Sequence, residues 1–248
     1  MKPEIVVVQD LQELSTVAAT LFARLAAEAV AARGRFSAAL SGGSTPRGMY
    51  RRLAEANGPA VPWPQVHLFW GDERVVPPTD PENNFSQARH ALIEHVPIPS
   101  DHVHPIRTDL APEPAARLYA AELEAFFGSA WPQFDLVLLG MGEDGHVAAL
   151  FPGSPALAET TRPVVASAGT YQGRPGQRIT LTLPAINAAR HVLLLVGGAA
   201  KAPAARAVLT GLAGPAGSPG TLPAHHVRPS PGRLTWILDA AAAEGIRD

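Results

Sequence analysis

The sequence contains no cysteine. This absence excludes disulfide bonds, thiol nucleophiles and thiolate metal sites, and it is compatible with the cytoplasmic location that we expect. Lysine is also scarce, because Lys2 and Lys201 are the two lysines among 20 basic residues. The lysine in the interior of the chain, Lys201, is therefore a candidate for a specific role.

The chain has little charge of either sign. Charged residues make up 17% of the sequence, and the formal net charge is -2. With no excess of positive charge, we expect neither nucleic acid nor a membrane surface as a partner. The hydrophobic share of 46% is typical of a folded protein rather than a disordered one. We predict a single domain spanning residues 1–248, while the oligomeric state stays open.

Long hydrophobic runs are missing as well. The most apolar helical stretch, Val17–Ala32, is interrupted by Arg24 and Glu28 and is shorter than the roughly 20 residues that span a bilayer. It is predicted to be an amphipathic surface helix. The apolar run Ile5–Val8 is shorter than the roughly 7–15 residues of a signal-peptide core, so no export signal is expected.

Short apolar runs alternate with helical patterns along the chain, which indicates βαβ units. We therefore predict an α/β fold with a doubly wound, mainly parallel sheet and helices on both faces. The predicted strands are Ile5–Val8, Phe36–Leu40, Val66–Trp70, Phe134–Leu139, His191–Val196 and Leu234–Leu238. The predicted helices include Leu11–Arg33, Pro46–Asn57 and Pro112–Phe127.

Residues 178–183 alternate polar and apolar side chains, which predicts a strand with one solvated face in a small accessory strand region or near an edge. Three segments rich in proline and glycine are predicted to be loops rather than domain linkers. They are Pro97–Pro105, Gly169–Gly176 and Gly211–Gly220.

A glycine-rich segment containing His146 follows the predicted strand Phe134–Leu139 directly. Gly140, Gly142 and Gly145 allow a sharp turn and a close approach of the backbone to a ligand. Small-molecule sites in open α/β sheets form at such strand ends. The segment therefore predicts a histidine at a functional site, against the alternative of an ordinary turn with an exposed histidine.

A second strand exit carries Gly42, Gly43, Ser44 and Thr45, followed by a helix with Pro46 in its first turn. Amides at a helix N-terminus, two hydroxyls and glycines that permit close approach are the components of a phosphate site. The segment lacks the Gly-Lys-Ser/Thr end of a nucleotide P-loop and the spacing of a dinucleotide fold. A small phosphorylated metabolite is therefore the predicted ligand, and a capped helix without a ligand is the alternative.

Charged side chains follow other predicted strands. Asp72, Glu73 and Arg74 lie just after Val66–Trp70, where three adjacent charges are costly unless they are paired or exposed. Arg74 is a candidate for binding a phosphate through two hydrogen bonds. For Asp72 and Glu73, a structural role is at least as well supported as a chemical one. Lys201 follows His191–Val196 and can reach a phosphate or an oxyanion, and Arg178 is a more ambiguous candidate.

The other histidines do not show the spacing of a metal site. His102 and His104 lie in a proline-rich segment, and His225 and His226 are adjacent, so surface or structural roles are favoured for them. A serine hydrolase is also disfavoured, because the Gly-x-Ser-x-Gly motif is missing.

Taken in order along the chain, these motifs resemble the 6-phosphogluconolactonase family. The similarity covers nearly the whole chain, and the ordered set is specific although each motif alone is weak. The matching segments are Leu40–Pro46, Phe69–Arg74, Gly140–His146, Leu150–Gly153, Arg178–Thr182, Gly198–Lys201, Leu222–Ala224 and Leu234–Asp239.

This resemblance implies hydrolysis of a sugar-phosphate lactone without a metal or organic cofactor. His146 matches the histidine proposed as the base, and Asp144 is expected to shape the loop or to orient the imidazole. Val147 and Ala149 replace the family's usual threonine and serine, which removes two hydroxyls beside the site. The predicted substrate-binding residues are Gly42, Gly43, Ser44, Thr45, Asp72, Arg74, Asn84, Gly142, Arg178 and Lys201.

The sequence leaves two other functions open. The chain also resembles glucosamine-6-phosphate deaminases/isomerases, but Arg74 stands where those enzymes typically have tyrosine. A noncatalytic sugar-phosphate-binding module of a transcription regulator is the second alternative. Such regulators carry a helix-turn-helix segment, and a first strand beginning by Ile5 is expected to leave no room for one ahead of it.

Overall fold

The centre of the fold is a parallel sheet of six strands. The computed structural model describes residues 2–169, 173, 175–213 and 222–246. Within these residues the strands are β1 (Glu4–Val8), β2 (Phe36–Leu40), β3 (Val66–Trp70), β4 (Asp72–Arg74), β5 (Leu136–Gly140), β6 (Val164–Ala168), β7 (Gln177–Leu181), β8 (His191–Val196) and β9 (Arg233–Asp239). The main sheet has the order β1-β9-β8-β5-β2-β3, with parallel pairing throughout.

Helices connect these strands and pack against the sheet. They are α1 (Leu11–Arg33), α2 (Ser44–Ala54), α3 (Asn84–Ala91), α4 (Pro112–Phe127), α5 (Leu183–Asn187) and α6 (Ala202–Ala213). Local signals set their ends. Asp10 caps α1 by accepting the amides of Gln12 and Glu13, each at 2.9 Å, and Gly34 ends it in a left-handed conformation with φ 76°. The α/β architecture predicted from the alternation is confirmed.

The strand order reverses between β2 and β5. From β2 the chain continues outward to β3, whereas β5 lies on the other side of β2 and leads to β8 and β9. Ligands bind at this kind of reversal, outside the carboxyl ends of the strands. The loops after β2 and β5, which carry Ser44 and His146, therefore leave the sheet side by side.

A second sheet of three antiparallel strands has the order β4-β7-β6. It contains the predicted accessory strand, so the expected accessory strand region is confirmed, but the expected solvated face is wrong. The strand β7 is central in the small sheet, and its polar side is buried. Arg178 is 3% exposed and Thr180 is 0% exposed. Both faces of β7 are therefore buried, and the alternation separates an apolar face from a polar one.

Other boundaries also differ from the predictions. The helix predicted at Pro46–Asn57 begins at Ser44 and ends at Ala54, and the predicted loop Gly211–Gly220 begins as helix, because α6 continues to Ala213. Residues 214–220 of that segment, and residues 170–172 and 174 of the predicted loop Gly169–Gly176, lie outside the described residues. The ends of the latter loop are joined by the amide of Gly169, which donates to the Gly176 carbonyl at 3.0 Å.

The long helix α1 meets a length and composition test for a membrane span, but one of its faces packs in the core. A core helix passes the same test. Burial of small and apolar residues along one face agrees with the predicted amphipathic surface helix. The buried residues of α1 are Leu14, Ala18, Ala19, Phe22, Ala23, Ala26 and Ala29.

A cluster of histidines covers the edge strand β3. The ring of His67 stacks on that of His102 with centroids 3.8 Å apart, and His67 Nδ1 lies 3.3 Å from His104 Nε2. The other nitrogen of His104 lies 2.8 Å from Glu122 Oε1. Burial, together with the charges of His102, His104 and Arg35, lowers the pKa of His67 to about 4.

We expect this cluster to make the fold sensitive to acid. Because the pKa of His67 is lower in the folded than in the unfolded chain, its stabilising contribution is complete above pH 6.5 and is lost as the pH falls towards 4. The loss is on the order of 1 kcal/mol, after allowance for the solvent screening of a partly exposed ring. Thermal unfolding of wild type and His67→Asn between pH 7 and 4 measures it.

The variant is expected to give a flatter pH dependence than wild type. The matched control is His90→Asn, because the His90 side chain is 60% exposed. If His67→Asn and His90→Asn follow the wild-type curve equally, His67 does not account for the acid sensitivity.

Candidate active site

The carboxyl ends of the central strands meet at a cavity of about 330 Å³. It lies between the two sheets, because its walls include the loops after β2, β5 and β8 together with side chains of β4 and β7. Of the twelve predicted site residues, all except Asp144 line it, and Asp144 contacts a residue that does. The predicted residues in the wall are Gly42, Gly43, Ser44, Thr45, Asp72, Arg74, Asn84, Gly142, His146, Arg178 and Lys201.

His146 and Asp144 form a close pair at the exit of β5. The imidazole Nδ1 lies 2.5 Å from Asp144 Oδ1, and the same oxygen accepts the His146 backbone amide at 3.2 Å. Burial alone raises the pKa of Asp144, but the hydrogen bond and charge of His146 outweigh it and lower that pKa below its ordinary value. An ionised Asp144 fixes the proton on Nδ1 and directs Nε2 away from the pair.

Gly142 is where the loop backbone passes closest to this pair. A Cβ at position 142 meets His146 Nδ1 at 2.1 Å and Asp144 Oδ1 at 2.4 Å. The amide of Gly142 donates to the His146 carbonyl at 2.9 Å, which closes the turn. The glycine is therefore required for the position of the imidazole rather than for a positive φ.

The turn after His146 is fixed by the small sheet. Ala148 has a left-handed backbone with φ 49°, and it lines the cavity. Thr180 Oγ1 accepts the Ala149 amide at 3.2 Å, and Ser167 Oγ donates to the Ala149 carbonyl at 2.7 Å. Hydroxyls of β6 and β7 therefore anchor the turn in which Ala149 replaces the family's usual serine.

The turn after β2 leads into α2 at the other side of the cavity. Gly43 is the residue before the helix and has φ 107°, which favours glycine. Its amide donates to Gln87 Oε1 at 3.2 Å, and its role in phosphate binding stays a prediction. The amides of Ser44 and Thr45 lie in the first turn, where N–H groups have no acceptor within the helix.

Asn84 joins this turn to the small sheet. Its Nδ2 donates to the Asp72 carbonyl at 2.8 Å, and its Oδ1 packs against Gly42, where a Cβ meets it at 1.8 Å. Among the described residues, the buried Oδ1 has no hydrogen-bond partner. Asn84 thus packs against the backbone of the turn before α2 and presents an acceptor beside the cavity.

Two arginines stand side by side in the cavity wall. The pairing of β4 with β7 puts Arg74 directly opposite Arg178, and the residues are 6% and 3% exposed. Like charges in this position repel. Glu82 offsets part of the charge, because Arg74 Nη1 lies 2.6 Å from its carbonyl and 3.2 Å from its carboxylate. Arg74 therefore also braces its own loop.

The side chain of Glu73 is buried between the backbones of Arg74 and Asn84. It is 0% exposed, and its carboxylate accepts the amides of Arg74 and Asn84, both at 2.7 Å, and of Phe85 at 2.8 Å. Burial raises the pKa of Glu73 to about 8, although the three amides lower it. The sequence favoured a structural role for Glu73 at least as much as a chemical one, and it did not show which backbone amides the carboxylate would bind.

Further residues complete the wall of the cavity without having been predicted. Met141, Glu143 and Leu195 line it together with Ala200. Each is a neighbour in sequence of a predicted residue or a strand exit, and that proximity was the one signal available. Within the described ranges, no group of three His, Cys, Asp or Glu residues could hold a metal ion. The expected independence from metal stays a prediction.

The fold and the cavity define an α/β protein with a polar, cationic ligand site at the carboxyl ends of a parallel sheet. The family model described as glucosamine-6-phosphate isomerases/6-phosphogluconolactonase matches residues 9–236. The chain belongs to this family.

Individual relatives are similar to this chain over most of their length. The chain is 41% identical over 251 residues to a protein of Synechocystis named 6-phosphogluconolactonase, covering 100% of both chains. It is 45% identical over 224 residues to the 6-phosphogluconolactonase of Mycobacterium tuberculosis, covering 87% of each. The solved 6-phosphogluconolactonase of Trypanosoma cruzi is 31% identical, with a TM-score of 0.86 over 100% of this chain and 98% of that one.

Proposed function

We propose that the chain hydrolyses 6-phospho-D-glucono-1,5-lactone to 6-phospho-D-gluconate in the oxidative pentose phosphate pathway. The observation that carries this proposal is the position of His146, paired with Asp144, in one cavity with the first turn of α2 and three cationic side chains. Relatives that are 41% and 45% identical carry the name of this activity.

The imidazole supplies the general base. Asp144 holds Nδ1, so Nε2 of a neutral His146 accepts a proton from the water that attacks the lactone carbonyl. The tetrahedral oxyanion is stabilised by a cation of the wall. When the ring C–O bond breaks, the imidazolium returns its proton to the leaving ring oxygen. The acid product forms and His146 is again neutral.

The phosphate of the substrate is assigned to the side of the cavity that carries α2. The first-turn amides of Ser44 and Thr45 suit an anion because of the helix dipole. The three cations divide between the phosphate and the oxyanion. The buried Nε of Arg74, which has no hydrogen-bond partner among the described residues, is one donor available to a bound ligand. Asp72, Gly42 and Asn84 shape the wall around the sugar.

The activity is tested by acid release from the phosphorylated lactone, corrected for spontaneous hydrolysis. Enzyme-dependent acid release supports the proposal. Ammonia release from glucosamine 6-phosphate, measured on the same preparation, reports the deaminase alternative. Ammonia release without lactone hydrolysis assigns the chain to the deaminase branch, and binding without either reaction assigns it to the noncatalytic alternative.

Lys201 tests the division of the cations. Loss of one charge-assisted hydrogen bond to phosphate costs about 1.5–3 kcal/mol, so Lys201→Ala is expected to raise KM for the phosphorylated lactone roughly 10- to 100-fold. KM for the lactone without phosphate is expected to change much less. Lys2→Ala is the matched control, because Lys2 is exposed and does not line the cavity. Equal losses on both substrates reassign Lys201 to the oxyanion.

The setting of this activity follows from the same proposal. We propose a cytoplasmic location, which the absence of cysteine supports. We also propose that residues 1–248 act as one lactonase-type domain. Supporting this, Leu138 of the parallel sheet and Ile179 of the small sheet belong to one hydrophobic core. The substrate is the one partner that the site implies.

A further inference from the structure

The buried carboxylate of Glu73 joins two separate pieces of the site. Oε1 accepts the amides of Arg74 and Asn84, and Oε2 accepts the amide of Phe85. Arg74 ends β4, whereas Asn84 and Phe85 begin α3. One side chain therefore closes the segment between them, residues 75–83.

The position of α3 makes this closure favourable. The amides of Asn84 and Phe85 lie in the first turn of the helix, where a negative charge is stabilised by the helix dipole. Asn83 caps the same turn by accepting the Ser86 amide at 2.8 Å. Glu73 therefore adds a second, long-range cap that ties the start of α3 to the small sheet.

Two of the three residues whose amides Glu73 binds, Arg74 and Asn84, line the cavity. Arg74 stands opposite Arg178, and Asn84 packs against Gly42 in the turn before α2. A shift of the Asn84 backbone moves Oδ1 relative to the Gly42 backbone, and a shift of Arg74 moves a guanidinium in the wall. The carboxylate thus fixes two parts of the cavity wall, Arg74 and the Asn84 side chain beside the turn before α2. It does so without lining the cavity itself.

We propose that Glu73 is a positioning residue for substrate phosphate, acting through the backbones of Arg74 and Asn84. The role rests on the proposed lactonase function, but it concerns binding rather than the proton transfer at His146. His146 belongs to the loop after β5, and none of the three Glu73 hydrogen bonds involves that loop.

The test compares Glu73→Ala with the conservative Glu73→Gln. Alanine removes both acceptor oxygens and with them all three hydrogen bonds. KM for the phosphorylated lactone is therefore expected to rise at least 10-fold, while kcat changes less than 3-fold. Glutamine keeps Oε1 for Arg74 and Asn84 and places an amide group opposite the Phe85 amide. It is expected to keep part of the affinity, with KM raised about 3-fold over wild type, less than in Glu73→Ala.

Asp135→Ala is the matched control. Asp135 is also a buried carboxylate, 8% exposed, and it accepts the amide and hydroxyl of Ser37 at 2.9 and 3.0 Å. Its position just before β5 places it at the opposite end of the strand from the cavity. This variant is expected to lose thermal stability as Glu73→Ala does, with an unchanged KM. Equal KM changes in Glu73→Ala and Asp135→Ala, or a wild-type KM in Glu73→Ala, overturn the proposal.

Binding of inorganic phosphate, measured by calorimetry at pH 8.5, separates this proposal from the lactonase proposal. That pH favours the ionised form of Glu73, because it lies above the value of about 8 to which burial raises the pKa of the carboxyl group. Glu73→Ala is expected to weaken phosphate binding at least 5-fold, and Asp135→Ala to leave it unchanged. If wild type binds phosphate without hydrolysing the lactone, the lactonase proposal fails and the Glu73 comparison still stands.

If Glu73→Ala does not fold, Glu73→Gln decides at pH 8.5. Wild-type phosphate affinity and wild-type KM in that variant then overturn the role of the ionised carboxylate. Weaker phosphate binding in Glu73→Gln, with full kcat, supports it.

Discussion

His146→Ala is expected to lower kcat for the phosphorylated lactone by about 10²–10⁴ while KM changes little, because general-base catalysis contributes that factor and the residue does not hold the phosphate. The ring is close to Asp144 and to Phe151, whose centroid is 4.7 Å away. Steady-state rates, corrected for spontaneous hydrolysis, measure the effect.

His90→Ala provides the control for this prediction. The His90 side chain is 60% exposed and pairs with Glu94 on the protein surface, so this variant is expected to keep wild-type kinetics. An unchanged kcat in His146→Ala would show that the imidazole is not the general base that activates the attacking water.

Gly142→Ala is expected to lower kcat by at least 10-fold, although it changes a single hydrogen into a methyl group. The added Cβ overlaps His146 Nδ1 at 2.1 Å and Cε1 at 2.3 Å, so the imidazole must leave its position beside Asp144. A displacement of about 1 Å in a reacting group costs on the order of 10²-fold in rate. The thermal unfolding temperature and kcat, measured together, separate a displaced ring from a damaged fold.

Gly71→Ala is the matched control, because a Cβ at that position lies 3.4 Å from its nearest atom, the Leu40 carbonyl oxygen, and Gly71 does not line the cavity. The double variant Gly142→Ala, His146→Ala adds a sharper test. If the methyl group acts through the imidazole, the double variant is no slower than His146→Ala alone. Additive losses show instead that the methyl group at position 142 acts independently of the His146 ring.

The sequence predicted the parts of the site that depend on local signals. Apolar runs marked the strands, and glycine with hydroxyl or charged residues marked their exits, so His146 and Ser44 could be placed at one edge of a parallel sheet. Lys201 was found by its rarity. These inferences needed no knowledge of which residues touch across the fold.

Contacts between distant segments could not be predicted in the same way. Asn84 packs on Gly42 because α3 docks beside α2, and no periodicity encodes that docking. The strand β4 has three residues and three charges, so its pattern resembles a loop. Arg178 and Thr180 were expected on a solvated face, since sequence alternation does not distinguish water from a buried polar cavity.

The base and the anion-binding turn leave the sheet from two different strands, β5 and β2. Each has its own local support: Gly142 keeps room for the imidazole, while Asn84 sets the turn before α2. Chemistry and recognition are therefore separable during evolution. Substitutions after β5 can change the bond that is broken while the grip on a phosphorylated sugar persists, which gives one scaffold access to several reactions on related metabolites.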